Sequence, residues 1–414
     1  MIKTPRLSVR PDHPDFVDLD WSEPILDWDS TRLVSMPEGI HRHPVVFVAY
    51  SHGVYAIKEL PIRFARHEFE TLGAMEEITR HVAVPVGLVE RPWIDPTSEA
   101  SGAVITAYVT DAFPYRHLVS GHDFGHRRGS LLDAFAGLLV ELHLHGFYWG
   151  DCSLSNTLYR WDASSIEAIM IDAETSSIYG RISRGQRLED LAIMEVNVAG
   201  EMADIAAESG GSLDEADLTL GYDISARYEA LWKELTTSLV VTAGDHYRIR
   251  HRIDRLNTLG FAVESIDLIP VDDGVNVQMQ VKVGGRQYHS ERLRQITGID
   301  TSENQARSIL SDLSYYEAKL GHVSATRKSV GAMKWRSLVF EPMIHKIGDD
   351  LPDQPLYQAY CDFLAYRLKT ATERNRDIDN IEAYEAWKDA GFPGFKGSDD
   401  PVAPHDPPEE ARPS

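Results

Sequence analysis

The stretch Gly-Phe-Tyr-Trp-Gly-Asp-Cys-Ser-Leu-Ser-Asn, residues 146–156, sets a carboxylate at Asp151 and a side-chain amide at Asn156, with four small or apolar residues between them. It follows a segment, 131–145, that carries Leu131, Phe135, Leu138, Leu139 and Leu142 on one helical face. Gly146 then supplies the left-handed cap on which such a helix ends. Two short oxygen-bearing side chains therefore leave the end of a helix together.

Asp-x-x-x-x-Asn is the spacing of a kinase catalytic loop, in which the Asp orients the attacking hydroxyl and the Asn holds magnesium on the nucleotide phosphates. Two further segments stand in matching order: Val-Tyr-Ala-Ile-Lys at 54–58 and Ile-Met-Ile-Asp at 169–172. Lys58 lies in a predicted strand beside Ala56 and Ile57, so its stem is expected to be buried and its ammonium to point into a cleft. A buried ammonium needs an anionic partner. The helix predicted over 62–80 places Ala65, Glu68, Leu72 and Met75 on one face, whereas Glu70 is rotated by about 200° from Glu68. Glu68 is therefore the expected partner. Asp172 ends a predicted hairpin strand, well placed to hold magnesium between phosphate oxygens or else to cap the next turn. Glu174 reads equally as a second metal ligand or a solvated neighbour.

Working outward, alternating β-branched and aromatic residues predict a meander over 32–36, 44–50 and 54–60. The loop 37–43, where kinases carry a glycine-rich cover for the phosphates, has only Gly39 and otherwise Ile-His-Arg-His. Either Arg42 or a histidine supplies charge there or nucleotide does not bind in the usual way; the former is favoured because the other motifs are present. Two more strands, 82–89 and 103–109, lead to a hinge where the backbone of Ala107 and Val109 would read an adenine edge. Residues 1–30, with Trp21 and Trp28 but no sustained period, form an arm. The pairs His41/His43 and His143/His145 read as structural histidines. Helices over 188–208, with Asp190, Asn197 and Glu201, and over 213–239 would complete a small C-lobe.

Beyond 241–245 the balance changes to twelve basic against ten acidic side chains between His246 and Lys328, in a chain whose net charge is −23. This marks a separate unit. A basic helix (247–258), strands at 263–270 and 275–283, a Gly284-Gly285 turn, helices from 290 and 301, a strand at 338–347 and a helix at 356–368 are expected. The proline-rich, acidic end, 397–414, reads as disordered.

The 414 residues are 43% apolar, enough for a sizeable core. The negative charge argues against a protein that coats nucleic acid or anionic membrane with its whole surface. Two cysteines, Cys152 and Cys361, exclude a disulfide framework and fit a reducing, cytoplasmic setting. No membrane span or signal peptide is read.

Taken with Tyr-Ala-Ile-Lys-Glu (55–59), Ile-Asp-Ala-Glu-Thr (171–175), Asn-Val-Ala-Gly-Glu (197–201) and Glu-Asn-Gln-Ala-Arg (303–307), the chain resembles the kinase-like superfamily. Within it, the likeness is to lipopolysaccharide-kinase-like bacterial proteins with an additional C-terminal domain of unknown function. The resemblance implies an α+β, two-lobed fold, with an antiparallel-sheet N-lobe and a mainly helical C-lobe, followed by a smaller α/β domain. The expected organisation is an arm (1–30), N-lobe (31–110), C-lobe (111–241), C-terminal α/β domain (242–345), helical extension (346–396) and tail (397–414). It implies ATP and Mg²⁺ as cofactors. Lys58 would hold phosphates with Glu68 as its brace, Asp151 would orient the acceptor, and Asn156 and Asp172 would hold the metal. Trp149 stands where the His of the usual His-x-Asp would be, and Ser153 stands where serine/threonine protein kinases have Lys.

The expected activity is transfer of the ATP γ-phosphoryl group to a hydroxyl of an unknown acceptor, a small molecule or sugar in preference to a protein. The alternative is a nucleotide-binding pseudokinase whose C-terminal domain binds a protein or nucleic-acid partner. Turnover, against binding alone, separates the two.

Overall fold

A computed structural model describes residues 4–36, 42–119, 124–209, 215–242, 246–271, 276–319 and 325–395. Gly39, His41 and the 397–414 tail lie outside the described residues. The chain is α+β: antiparallel sheets and long helices in separate layers.

The first layer holds β1 (Arg6–Val9), β2 (Leu33–Val34), β3 (Val45–Tyr50), β4 (Gly53–Leu60), helix α1 (Ile62–Glu76), β5 (Pro85–Glu90) and β6 (Gly102–Ala107). Its strand order is β1-β5-β6-β4-β3-β2, antiparallel throughout. Strand β4 is central, and Lys58 is registered against Val45 on one side and Val104 on the other. One face of the sheet is covered by the arm, whose Phe16, Trp21 and Trp28 pack on Val48, Tyr55 and Ile57. The arm also adds β1 as an edge strand, a pairing that its irregular sequence did not announce.

The second layer begins with β7 (Ala112–Pro114), α2 (Arg116–Val119) and α3 (Phe124–Leu144), then β8 (Phe147–Tyr148), β9 (Thr157–Asp162), β10 (Ser165–Met170) and β11 (Ser177–Ile178). Helix α6 (Leu220–Thr236) packs beside α3, and α4 (Arg184–Ser209) and α5 (Glu215–Leu218) pack against α6. Leu131, Phe135, Leu138, Leu139 and Leu142 are all buried in this core. Gly146 has φ +83°, and a Cβ there would collide with the Tyr179 carbonyl, so the turn into the Asp151–Asn156 stretch requires glycine.

The same core runs on into Leu256, Phe261 and Val283. These belong to α7 (His246–Thr258), β13 (Phe261–Pro270) and β14 (Asn276–Arg286), which join β12 (Leu239–Thr242) in a sheet of order β12-β14-β13. A second core gathers α8 (Tyr288–Thr297), α9 (Glu303–Lys319), α10 (Ala325–Trp335), α11 (Glu341–Asp350), α12 (Leu356–Glu373) and α13 (Asn380–Asp389) around Trp335, Tyr360, Phe363 and Trp387.

Three local expectations are corrected. Residues 239–242, where a helix is expected to end at 239 and a boundary to begin at 241, form β12, because Leu-Val-Val-Thr pairs with the Asn276 end of β14. Gly284 and Gly285 do not turn the chain but lie within β14, where a Cβ on Gly285 would sit 2.8 Å from the Ile78 carbonyl oxygen. Residues 338–347, read as a strand, are helical: a π-turn over Arg336–Phe340 runs into α11, with Pro342 in its first turn and Phe340, Met343 and Ile347 buried at helical spacing.

Buried polar groups join the layers. Asp162, at the end of β9, accepts from Ser302 Oγ (2.6 Å), Asn304 N (2.9 Å) and Gln305 N (2.7 Å), capping α9. Glu303 accepts from His289 N (2.9 Å) and Ser290 N (3.0 Å), capping α8. Glu-Asn-Gln in the 303–307 motif thus fastens two helices to the β9–β10 hairpin.

His81, between α1 and β5, lies 2.7 Å from Glu141 of α3 and 3.7 Å from Glu167 of β10. Burial would strip its proton, but the Glu141 carboxylate reverses this and lifts its pKa from 6.5 to about 10. Burial likewise opposes the charge of Glu141, yet His81 holds its pKa down at about 2. The folded chain therefore binds the His81 proton more tightly than the unfolded chain does. Its stabilisation is full below pH 6.5 and is lost as pH rises towards 10. His81→Gln is expected to lower stability at pH 6, with the gap to wild type closing on going to pH 10. Urea titrations across that range measure it, and a gap that widens with pH contradicts the assignment.

Candidate active site

Four segments far apart in sequence converge where the sheet meets the helical layer. Lys58 Nζ lies 2.7 Å from Glu68 Oε1 and 3.0 Å from Asp172 Oδ2. Strand β4 supplies the lysine, the inner face of α1 the glutamate, and the segment after β10 the aspartate. Burial disfavours the Lys58 charge, but the Glu68 and Asp172 carboxylates outweigh it and raise its pKa. Glu68, 1% exposed, is pushed up to about 7 by burial, against the pull of Lys58. Asp172 feels burial too, yet Lys58 and the Glu174 N–H (3.0 Å) hold its pKa below the usual carboxylate value. Its carboxylate is thus ionised and oriented.

The 146–156 stretch is held from within and from α4. Asn156 Nδ2 donates to the Asp151 carbonyl (3.0 Å) and to Asp151 Oδ2 (3.2 Å), while Asn197 Nδ2 donates to Asp151 Oδ1 (3.0 Å). Asp151 is exposed and aimed by two amides. Glu201 accepts from the N–H groups of Leu154 (3.0 Å) and Ser155 (2.7 Å). Asp190, fully buried, accepts from the N–H groups of Trp149 and Gly150, both at 2.8 Å. Asp190, Asn197 and Glu201 are seven and eleven positions apart, which puts all three on one face of α4.

His143 lies 3.0 Å from Asp190 through Nε2 and 2.7 Å from the Tyr228 hydroxyl through Nδ1. Burial lowers its pKa, so the ring is neutral. A carboxylate can only accept, so Nε2 carries the proton and Nδ1 accepts from Tyr228. This histidine is structural: it braces Asp190.

Trp149 is fully buried and stacked on Phe135, and its indole N–H donates to the Asp172 carbonyl at 3.2 Å. Trp149 thus links the 146–156 stretch to the Asp172 segment. Glu174, expected as a metal ligand or a solvated neighbour, is neither free nor solvated. Its Oε2 lies 2.8 Å from His43 Nε2, and His43 Nδ1 lies 2.6 Å from Glu99. His43 therefore ties the start of the meander to the segment after Asp172.

Other expected binding residues are less engaged. Arg42 is exposed beside His43. The Ala107 N–H donates to the Val84 carbonyl (2.9 Å) and the Tyr108 N–H to the Val54 carbonyl (3.0 Å). Among the described residues the Val109 N–H has no partner, which leaves it as the available donor at the strand end. In the basic helix α7, Arg252 and Arg255 both contact Glu234 at 2.6 Å. Among the described residues no helix is long and apolar enough to cross a membrane.

A family described as a domain of unknown function (DUF4032) matches residues 230–391, from the last turns of α6 to just beyond α13. No curated protein matches the chain. Among solved structures, the chain is similar to one titled WaaP in complex with acyl carrier protein, at 14% identity and a TM-score of 0.34. The alignment covers 54% of this chain and 88% of that one.

Proposed function

We propose that this chain is a kinase-like phosphotransferase that moves the γ-phosphoryl group of ATP to a hydroxyl of a small-molecule or sugar acceptor. The observation that carries the reading is the convergence of Lys58, Glu68 and Asp172 within 3.0 Å, beside the braced Asp151–Asn156 pair. The sheet supports it as well. Strands β2, β3 and β4, then α1, then β5 and β6, sit in the order β5-β6-β4-β3-β2, as in a kinase N-lobe, with the arm strand added at the edge.

The donor set fits magnesium, a hard cation that takes oxygen ligands and relies on one or two side chains plus phosphates. Asn156 uses its Nδ2 on Asp151, which leaves its Oδ1 for a cation. Asp172 is an ionised carboxylate with lone pairs beyond those that accept from Lys58 and Glu174. Asn156 and Asp172 would hold the ion, which would neutralise charge on the phosphate oxygens.

This chain's residues do the rest. Lys58, kept charged and aimed by Glu68, holds phosphate oxygens. Asp151 orients the acceptor hydroxyl and accepts its proton as the new oxygen–phosphorus bond forms and the bond to the leaving ADP oxygen breaks. Ser153, where protein kinases place a lysine, faces inward: its Oγ lies 3.0 Å from Ser155 Oγ and accepts from the Asn156 N–H at 3.1 Å. No cation stands there to meet a protein substrate, which favours a small acceptor.

Magnesium and ATP together are expected to raise the melting temperature, since a ligand at a hundred times its Kd stabilises the folded state by about 2.7 kcal/mol. Differential scanning fluorimetry with ATP, with magnesium and with both measures this. A folded protein that shows no shift with both present contradicts the reading.

A further inference from the structure

The groove between α8 and α9, about 580 Å³ in volume, shares none of its lining residues with the Lys58–Asp172 site. Arg292 of α8 and Arg307 of α9 both line it. In a chain with 64 acidic against 41 basic side chains, most buried or half-buried arginines should find a carboxylate, and Arg91, Arg160, Arg252 and Arg367 do. Arg307, half-buried, has no partner among the described residues. Among the described residues Arg292 donates only to the Tyr288 hydroxyl, at 3.0 Å. Glu317 also lines the groove, but it stands ten positions after Arg307, about 15 Å along the helix axis, and pairs with neither arginine.

We infer that this groove is a binding site for a small phosphate-bearing anion. Two guanidiniums without a carboxylate partner among the described residues match the two charges of a phosphate group, and their fork of N–H donors fits its oxygens. The Tyr288 hydroxyl, which accepts from Arg292, has its own proton left to donate outward, and Ser311 lines the groove one turn after Arg307. A volume of this size takes a small molecule, not a nucleic-acid strand. The site also explains the last residue of the Glu-Asn-Gln-Ala-Arg motif. Glu303, Asn304 and Gln305 fasten the first turn of α9, Ala306 is in the core, and Arg307 is thereby held facing the groove.

The test is calorimetric titration of metal-free pyrophosphate into the full chain carrying Lys58→Met, which removes the cation of the other phosphate-binding candidate. Saturable binding is expected, weakened about tenfold or more by Arg307→Gln, as for loss of a hydrogen bond to a charged group, and less by Arg307→Lys. Arg292 is exposed, so Arg292→Gln probes the groove without disturbing the core, and a similar loss is expected. Absence of saturable binding, or binding unchanged by both glutamine variants, overturns the proposal.

Discussion

Asp190→Ala is expected to be among the most destabilising single changes in the helical layer and to abolish any transfer activity. The carboxylate satisfies three donors, Trp149 N, Gly150 N and His143 Nε2, in a place where no water reaches it. Alanine leaves all three buried and unpaired, at about 1–3 kcal/mol each. Several kcal/mol is a large share of the roughly 5–15 kcal/mol that holds a domain folded. The loss also reaches the site, because the two backbone donors flank the turn into Asp151. Gly150, at φ +79°, is held there with no room for a Cβ, which would meet the Thr175 carbonyl oxygen at 2.8 Å. Asp190→Asn should fail nearly as badly, since its NH2 group would face an N–H donor. Thermal unfolding and transfer rate together check this. A variant that melts like wild type contradicts the role given to Asp190.

The positions of the charged groups were legible where one local rule placed them. Helical phasing alone selected Glu68 over Glu70 as the partner of Lys58, and the pair lies at 2.7 Å. The Asp151–Asn156 spacing and the strand end at Asp172 likewise marked residues that the fold draws to one place. The bracing from α4 was harder to read. Asp190, Asn197 and Glu201 share a helix face, but polar residues on one face of a helix ordinarily mean solvent, and only the fold turns that face onto the 146–156 stretch. Trp149 could be seen as a departure but not as a hydrogen-bond donor to Asp172. His43 could be read as a structural histidine, but its two partners, Glu99 and Glu174, lie 56 and 131 positions away and could not be named. The errors in secondary structure share a cause. Leu239–Thr242 and Gly284-Gly285 take their form from the strand or side chains packed against them, which a local reading does not contain.

Asp151 and Asp172 are assigned different work, and that difference carries the central claim. Asp172 pairs with Lys58 and would hold the metal, so Asp172→Asn is expected to weaken magnesium-dependent nucleotide affinity about tenfold to a hundredfold, the loss of a charged ligand. Asp151 touches neither Lys58 nor Asp172. Its contacts are Asn156 and Asn197, and Asp151→Asn should leave nucleotide affinity close to wild type. Transfer is another matter. Aiming the hydroxyl and receiving its proton contributes on the order of a hundredfold to ten-thousandfold to such a reaction, and an amide cannot take the proton.

The direct measurement is therefore paired: calorimetric ATP affinity in magnesium, and the rate of phosphoryl transfer or ATP hydrolysis, for wild type and both variants. The account predicts that Asp151→Asn binds ATP as wild type does and turns over at least about a hundredfold more slowly. Wild-type protein that binds ATP with a turnover unchanged by Asp151→Asn, across small-molecule, sugar and protein acceptors, would contradict it and make the site a nucleotide sensor.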